Sequence, residues 1–365
     1  MVPRRYEALR YCRVKARLIP HQQLPGNGAV KESFFMGLHT HIDTRRTPQS
    51  SPVEILDLRH FSSQHLRPLL ERETQVWGQL MSWDYRPSAE MILRYVDSKI
   101  LPGYAAVENG RVGGYAFFVY EGSKGVIGDL FADQSIRLKD DTVERLLAVH
   151  VIETLQQSPG IHRIEAQLLP HDSGILSEQF IQEGFQQFPR LFMVLPLKNG
   201  LKLEISPCPD IEFRRWGEQD FQPAANVITA AYRGHIDSEI NDQYRSLNGS
   251  LRFLNNIVRF PGCGIFDNNA SFVAVHKLTR SVIGELLCSR VREDVGHVTQ
   301  VCVLPEFRGQ RIGESLIALC THELRSRNFS NLSLTVTEAN SKAVDLYLRL
   351  GFEARRRFDA FVWEG

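Results

Sequence analysis

The chain has 365 residues, with 43 Lys+Arg against 42 Asp+Glu, 43% hydrophobic residues and six cysteines. That length allows about two domains, and an average content of charge, Gly and Pro excludes a disordered or fibrous chain for the bulk. No run approaches the ~18 apolar residues of a membrane span, and a net charge of +1 directs the chain neither to nucleic acid nor to an anionic membrane.

The cysteines at 12, 208, 263, 288, 302 and 320 are scattered. None forms a CxxC pair and none has zinc spacing with histidine, so no metal is expected, and the usage fits a reducing, cytoplasmic compartment. The charge balance hides an asymmetry. Residues 1–50 hold nine Lys/Arg against three acids, which leaves the remainder slightly acidic. This basic stretch has no apolar signal core and no helical period. It reads as a disordered extension, with a start at Met36, a transit-like segment or a nucleic-acid arm as the alternatives.

In chain order, Val53–Arg59 alternates as a strand, and Ser62–Trp83 and Pro87–Ile100 follow as helices. Tyr104–Glu108, Val112–Tyr120 and Val126–Ala132 are strands, the first two joined by an Asn109-Gly110 turn. A helix over Asp141–Gln156, a strand over Ile164–Leu169, a helix over Gly174–Gly184 and a strand over Leu191–Leu197 complete this half. Residues 199–210 are rich in turn formers and read as a linker. The order then repeats: a strand over Ile211–Trp216, helices over Ala224–Arg233 and Glu239–Arg259, and strands over Ser271–Lys277, Val282–Arg290 and His297–Val303. A helix over Ile312–Arg327, a strand over Leu332–Thr337, a helix over Ser341–Leu350 and a last strand over Phe358–Trp363 follow. Each half is thus expected to be an α+β unit with a mixed, mostly antiparallel sheet.

One segment carries the chemistry. A strand through Val301, Cys302 and Val303 stops at Pro305, and a short loop with Arg308, Gly309, Gln310 and Arg311 leads into a helix whose first residues are Ile312 and Gly313. Such a loop aims backbone N–H groups and the positive end of a helix at one point, which makes an anion site. Glycine admits close approach, and arginine suits phosphate oxygens. Neither a Walker loop nor a dinucleotide fingerprint is present. Further on, Asn340 is placed to cap the last helix, Tyr347 lies two turns along on the same face, and Gly351 is placed to end it.

Together the Arg308-Gly-Gln-Arg-Ile-Gly313 loop and the Asn340-x-x-Ala-x-x-Leu-Tyr-x-x-x-Gly-Phe352 run resemble the GCN5-related N-acetyltransferase (GNAT) superfamily. Arg311 departs from the glycine usual at its position. The resemblance implies an α+β, three-layer acyl-CoA N-acyltransferase fold, here as two tandem domains similar to tandem members such as mycothiol synthase. Its domains would be a degenerate one over 51–198 and a catalytic one over 211–365. It implies acetyl-CoA or another acyl-CoA as donor, held by Val301–Val303, Arg308–Gly313, Asn340 and Tyr347, and a primary amine, small-molecule or peptide, as acceptor. Tyr347 would be the general acid on the departing thiolate. For the base the alternatives are His297, Glu285 or a chain of waters, and for Tyr347 a packing role. Tyr232, His235, Asp237, Glu239 and Tyr244 fall in the region that roofs the acceptor in this superfamily. The first half has no glycine over Asp133–Asp141 and carries Phe180 where Tyr347 would stand. The other reading of the whole is a non-catalytic acyl-CoA-binding or scaffold protein, and either a monomer or a homodimer fits.

Overall fold

In the computed structural model, residues 53–133, 142–197, 203–259 and 264–365 are described. The expectations for residues 1–50 and for most of Asp133–Asp141 fall outside them. The first half runs β1 (Glu54–Asp57), α1 (Ser63–Met81), α2 (Arg86–Asp97), β2 (Gly103–Glu108), β3 (Arg111–Glu121), β4 (Lys124–Ala132), α3 (Val143–Gln156), β5 (Arg163–Gln167), α4 (Ser177–Gln182) and β6 (Gln186–Pro196). The second runs β7 (Ile211–Arg215), α5 (Phe221–Ala231), α6 (Ile236–Ile240), α7 (Leu247–Arg259), β8 (Ile265–Phe266), β9 (Phe272–His276), β10 (Val282–Arg292), β11 (Val295–Val303), α8 (Ile312–Ser326), β12 (Asn331–Thr337), α9 (Ser341–Arg349) and β13 (Glu353–Glu364).

The local signals act where they stand. Ser62 and His65 form a capping box at α1, Thr142 caps α3, and the Asn340 side chain accepts the Ala343 N–H at 3.4 Å to start α9. The helix expected over Glu239–Arg259 is broken instead. Asn241 turns its side chain onto the Gln243 N–H, residues 242–245 form a 3-10 turn, and Gly249 packs so tightly on the Gln243 backbone that a Cβ there would lie 2.3 Å from its carbonyl oxygen. The chain therefore leaves α6 and re-enters helix only at Leu247.

Both halves share one mixed sheet, ordered β1-β2-β3-β4-β5-β13-β6-β12-β11-β10-β9-β7, with β8 on β10. Two pairs are parallel, β4 with β5 and β11 with β12. The halves exchange their last strands. β6 pairs with β12 and β13, and β13 pairs with β5 and β6, so each final strand hydrogen-bonds the last-but-one strand of the other half. Local pattern marks the strands but carries no record of which edge each one joins.

Helices cover both faces. Leu147, Ile152 and Phe180 fill one core of the first half and Leu66, Leu70 and Tyr115 the other. Leu316, Leu324 and Phe352 do so on one face of the second half, and Ile228, Leu254 and Leu287 on the other. A fifth cluster lies across the exchange: Trp77, Met81 and Trp83 from the α1 end pack with Phe192, Val291, Val295 and Phe358. Each such buried aromatic is worth roughly 2–3 kcal/mol of apolar burial.

A chain divided between residues 202 and 203 should therefore give two pieces that are insoluble or unfolded alone, because each exposes unpaired strand edges. Co-expressed, they should form a one-to-one complex, as read by size-exclusion chromatography and circular dichroism. A folded, monodisperse 203–365 fragment would refute this account.

Candidate active site

The parallel register of β11 with β12 covers only Val295–Val298 against Asn331–Leu334. At that point the pairing of β10 with β11 slips, Leu287 facing Gln300 and Cys288 facing Val298, so Thr299 is a bulge. Beyond it, Thr299–Val303 has no strand on its β12 side among the described residues. A row of backbone groups on that edge is left for another extended group to bond.

The loop after β11 ends at α8. Gly309 has φ 81°, and a Cβ there would meet nothing within 4 Å. Arg311 holds φ 60° as the residue before α8, a left-handed conformation that costs a non-glycine residue roughly 1 kcal/mol. It thus adopts the backbone that glycine would give more cheaply. The first four N–H groups of a helix have no partner within it, so those of Ile312 and its successors are left at the positive end of the dipole, where the loop that holds Gly309 enters α8. The side chains divide differently from the expectation that both arginines serve an anion. Arg308 donates to the carbonyls of Val303, at 3.3 Å, and Ala231, at 2.7 Å, tying the loop to the end of α5. Arg311 is exposed and paired with Glu314. Val301 and Val303 pack on the α8 side, while Cys302 turns to the other face and donates to Glu285 at 3.8 Å.

At the divergence of β11 and β12 the chain brings together several groups from the expected roof. Tyr347 is buried on α9 against Phe352, and burial, then the nearby Asp237 carboxylate, hold its pKa above the usual phenol range. Asp237 accepts the Thr337 hydroxyl, and its Oδ2 lies 3.4 Å from His235 Nδ1. His235 Nε2 is 3.4 Å from the amide nitrogen of Asn340. Tyr232 stacks on Tyr244, with ring centroids 4.4 Å apart, and donates its hydroxyl to Gln300 Oε1 at 3.0 Å. The other amide atom, Gln300 Nε2, is buried with no partner. Sequence reasoning passed over Gln300; its signal was its place beside a strand bulge, which appears only with the partner strand. Glu239 does not join this group but pairs with Arg245 on the outside.

The two expected bases part company. His297 is buried in the seam, edge-on to Trp83 at 4.7 Å, with Nδ1 2.9 Å from the Ser333 hydroxyl. Burial, with the positive charge of Arg190, lowers its pKa to about 3. It is a packed neutral ring and too weak a base for an ammonium, which corrects the expectation from its place on the strand. Glu285 is fully buried under α5, one oxygen without a partner, and burial raises its pKa to about 8.

The first half repeats the backbone device with different side chains. There Gly128 is the bulge, so that by register Asp129 stands where Gln300 does and Tyr115 where Glu285 does. These groups satisfy one another. The Tyr115 hydroxyl reaches Glu73 at 2.7 Å and Asp129 at 3.0 Å, Tyr85 donates to Asp129, and Trp77 donates to Glu73. Burial, then Asp129, hold the Glu73 carboxyl well above the usual range. Phe180, in the place of Tyr347, stacks on Phe361 at 4.1 Å. No grouping of His, Cys, Asp and Glu fit for a metal occurs among the described residues, nor does a helix long and apolar enough to cross a membrane.

Residues 239–352 match the acetyltransferase (GNAT) family model. No curated protein sequence matches. Among solved structures, a GCN5-related N-acetyltransferase from Sphaerobacter thermophilus is similar at 15% identity and a TM-score of 0.57, over 79% of this chain and 91% of that one. A tandem GNAT protein from the clavulanic acid biosynthesis pathway is similar at 16% and 0.54, over 86% and 98%. A glucosamine N-acetyltransferase region of a fungal multi-domain β-N-acetylglucosaminidase is similar at 17% and 0.59, over 87% of this chain and 38% of that one. The fold is that of tandem GNAT proteins, a fold that supports acyl transfer from acyl-CoA.

Two outcomes separate the roles of the buried groups. Replacing His297 with Gln should leave any acyl transfer within about threefold, where loss of a general base costs about 10²–10⁴-fold. For Glu285, the folded chain keeps a proton that the unfolded chain releases between pH 4.5 and about 8. Stability should fall as pH rises through that window, by up to about 5 kcal/mol, and Glu285→Gln should flatten the profile in urea unfolding.

Proposed function

For a chain that carries a GNAT domain, we propose acyl transfer from acyl-CoA to a primary amine, performed in the second half. The observation that supports it is the contrast at the two bulges: the first half's polar groups close on one another, whereas Gln300 Nε2 and a Glu285 oxygen are buried without partners beside an unpaired strand edge. Unsatisfied buried polar atoms are costly, and such atoms gather where a ligand completes them.

In this reading the amides of Gly309–Gly313 and the start of α8 receive the pyrophosphate of the donor. The free edge of Val301–Val303 bonds its extended arm, and an N–H there steadies the negative charge that grows on the acyl oxygen. Asp237 draws the acceptor ammonium toward the cleft. A base takes a proton from it, the freed nitrogen lone pair attacks the acyl carbon, and the carbon–sulfur bond breaks. Tyr347 gives its proton to the departing thiolate and takes back the second proton that leaves the new amide nitrogen, and its raised pKa keeps its proton in place until the thiolate forms. The bases that fit this cleft are the Asp237 carboxylate and His235, whose Nδ1 accepts the Asp237 N–H; Glu285, enclosed beneath α5, keeps a positioning role.

Release of CoA, read with a thiol reagent over a panel of amines that includes amino sugars, polyamines, amino acids and peptides, tests the reading. Tyr347→Phe should lower kcat at least about 100-fold and move the KM for acyl-CoA little. Tight acetyl-CoA binding without turnover on any amine would overturn it.

A further inference from the structure

We propose that the first half sets the acceptor side of the site in the second half, with Lys124 and Glu165 as positioning residues that hold the segment 235–245. This rests on the acyl-transfer reading above. The segment carries His235 and Asp237 at one end and Tyr244 at the other, all facing the cleft. Its helix, α6, has five residues, too short to hold its own shape, so its place must come from tertiary contacts.

Those contacts come from the end of β3 and from the strands β4 and β5. Lys124 Nζ donates to Asp242 Oδ1 at 2.6 Å and to Glu165 Oε2 at 3.1 Å. The Asp242 N–H donates to Glu165 Oε1 at 3.0 Å, Gln243 donates to Glu121 at 3.2 Å, and the Arg163 guanidinium donates to the Glu239 carbonyl. Lys124, Arg163 and Glu165 are all buried, at 5, 7 and 6% exposure. Burial alone would lower the Lys124 pKa, but the charges of Glu165, Asp242 and Glu121 outweigh it and hold the pKa above the usual lysine value. At the far end Glu364 of β13 joins Arg163 to Arg245.

A buried, fully partnered ion network adds little net stability, yet it fixes geometry sharply, because removing one member strands the others in a poor dielectric. Here it runs from the half whose own cleft is filled to the loop that roofs the other. A half whose own opening is filled by its own side chains is thereby kept as part of the active one.

The test uses the full-length chain with Lys124→Met, and Asp242→Asn as a milder variant that keeps the backbone bond to Glu165. Amide hydrogen exchange and steady-state kinetics on the best amine of the panel are the readouts. We expect faster exchange confined to residues 236–245. The amine KM should rise between about 10- and 100-fold, with the acyl-CoA KM unchanged and Lys124→Arg restoring most of the loss. Unchanged exchange in that segment, faster exchange across the whole second half, or a fall in kcat with both KM values unchanged would each overturn the proposal. If the wild type binds acyl-CoA but transfers to no amine, the acyl-transfer reading fails. Exchange in 236–245 then decides by itself whether the first half holds the segment.

Discussion

The antiparallel pairing of β6 with β13 sets the frame for nearly everything else in the described chain. It runs from Glu353 opposite Val194 to Val362 opposite Gln186, and each of the two strands bonds on its outer side to the last-but-one strand of the opposite half. Neither half can complete its sheet with its own residues. Once the pairing forms, the end of α1 must lie against β11, which is how Trp83 reaches His297. The starts of β4 and β5 must lie beside the loop after α6, which is how Lys124 reaches Asp242. A seam of this kind makes distant side chains neighbours, and the cleft between β11 and β12 inherits its surroundings from it.

Within that frame, one backbone device is used twice. In each half a single extra residue ends the parallel pairing and lets two strands part, Gly128 in the first and Thr299 in the second. What differs is the side chains beside the bulge. Asp129, Tyr115, Glu73 and Tyr85 fill the first opening with their own hydrogen bonds, whereas Gln300 and Glu285 leave atoms unanswered in the second. The same strand geometry is thus a closed core in one place and an unfinished site in the other. The distinction rests on a few buried polar atoms whose partners are costly to omit.

Much of this was legible before the structure. The repeated element order, the loop into α8 and the Asn340 cap follow from spacings within a dozen residues, and they stand where the spacings put them. The break after α6 was not legible, since it depends on Gly249 meeting the Gln243 backbone. Nor was the role of Arg308, whose guanidinium answers two carbonyls, one of them from α5. His297 was read as a base from its distance to the loop along the strand; its environment comes from Trp83, more than two hundred residues earlier.

By itself, then, the sequence determined most of the helices and strands, that the order occurs twice, and where the Arg308–Gly313 loop and the Asn340–Phe352 run stand in the second half. Those features depend on period, capping and glycine at short range, which neighbouring residues dictate. The tertiary structure decided the exchange of β6 and β13, the burial that makes His297 neutral and Glu285 a raised-pKa acid, and the ties from Lys124 and Glu165 to the roof of the cleft. Desolvation and ion pairing depend on which surfaces meet, and residues far apart in the chain meet only after the sheet has chosen its edges.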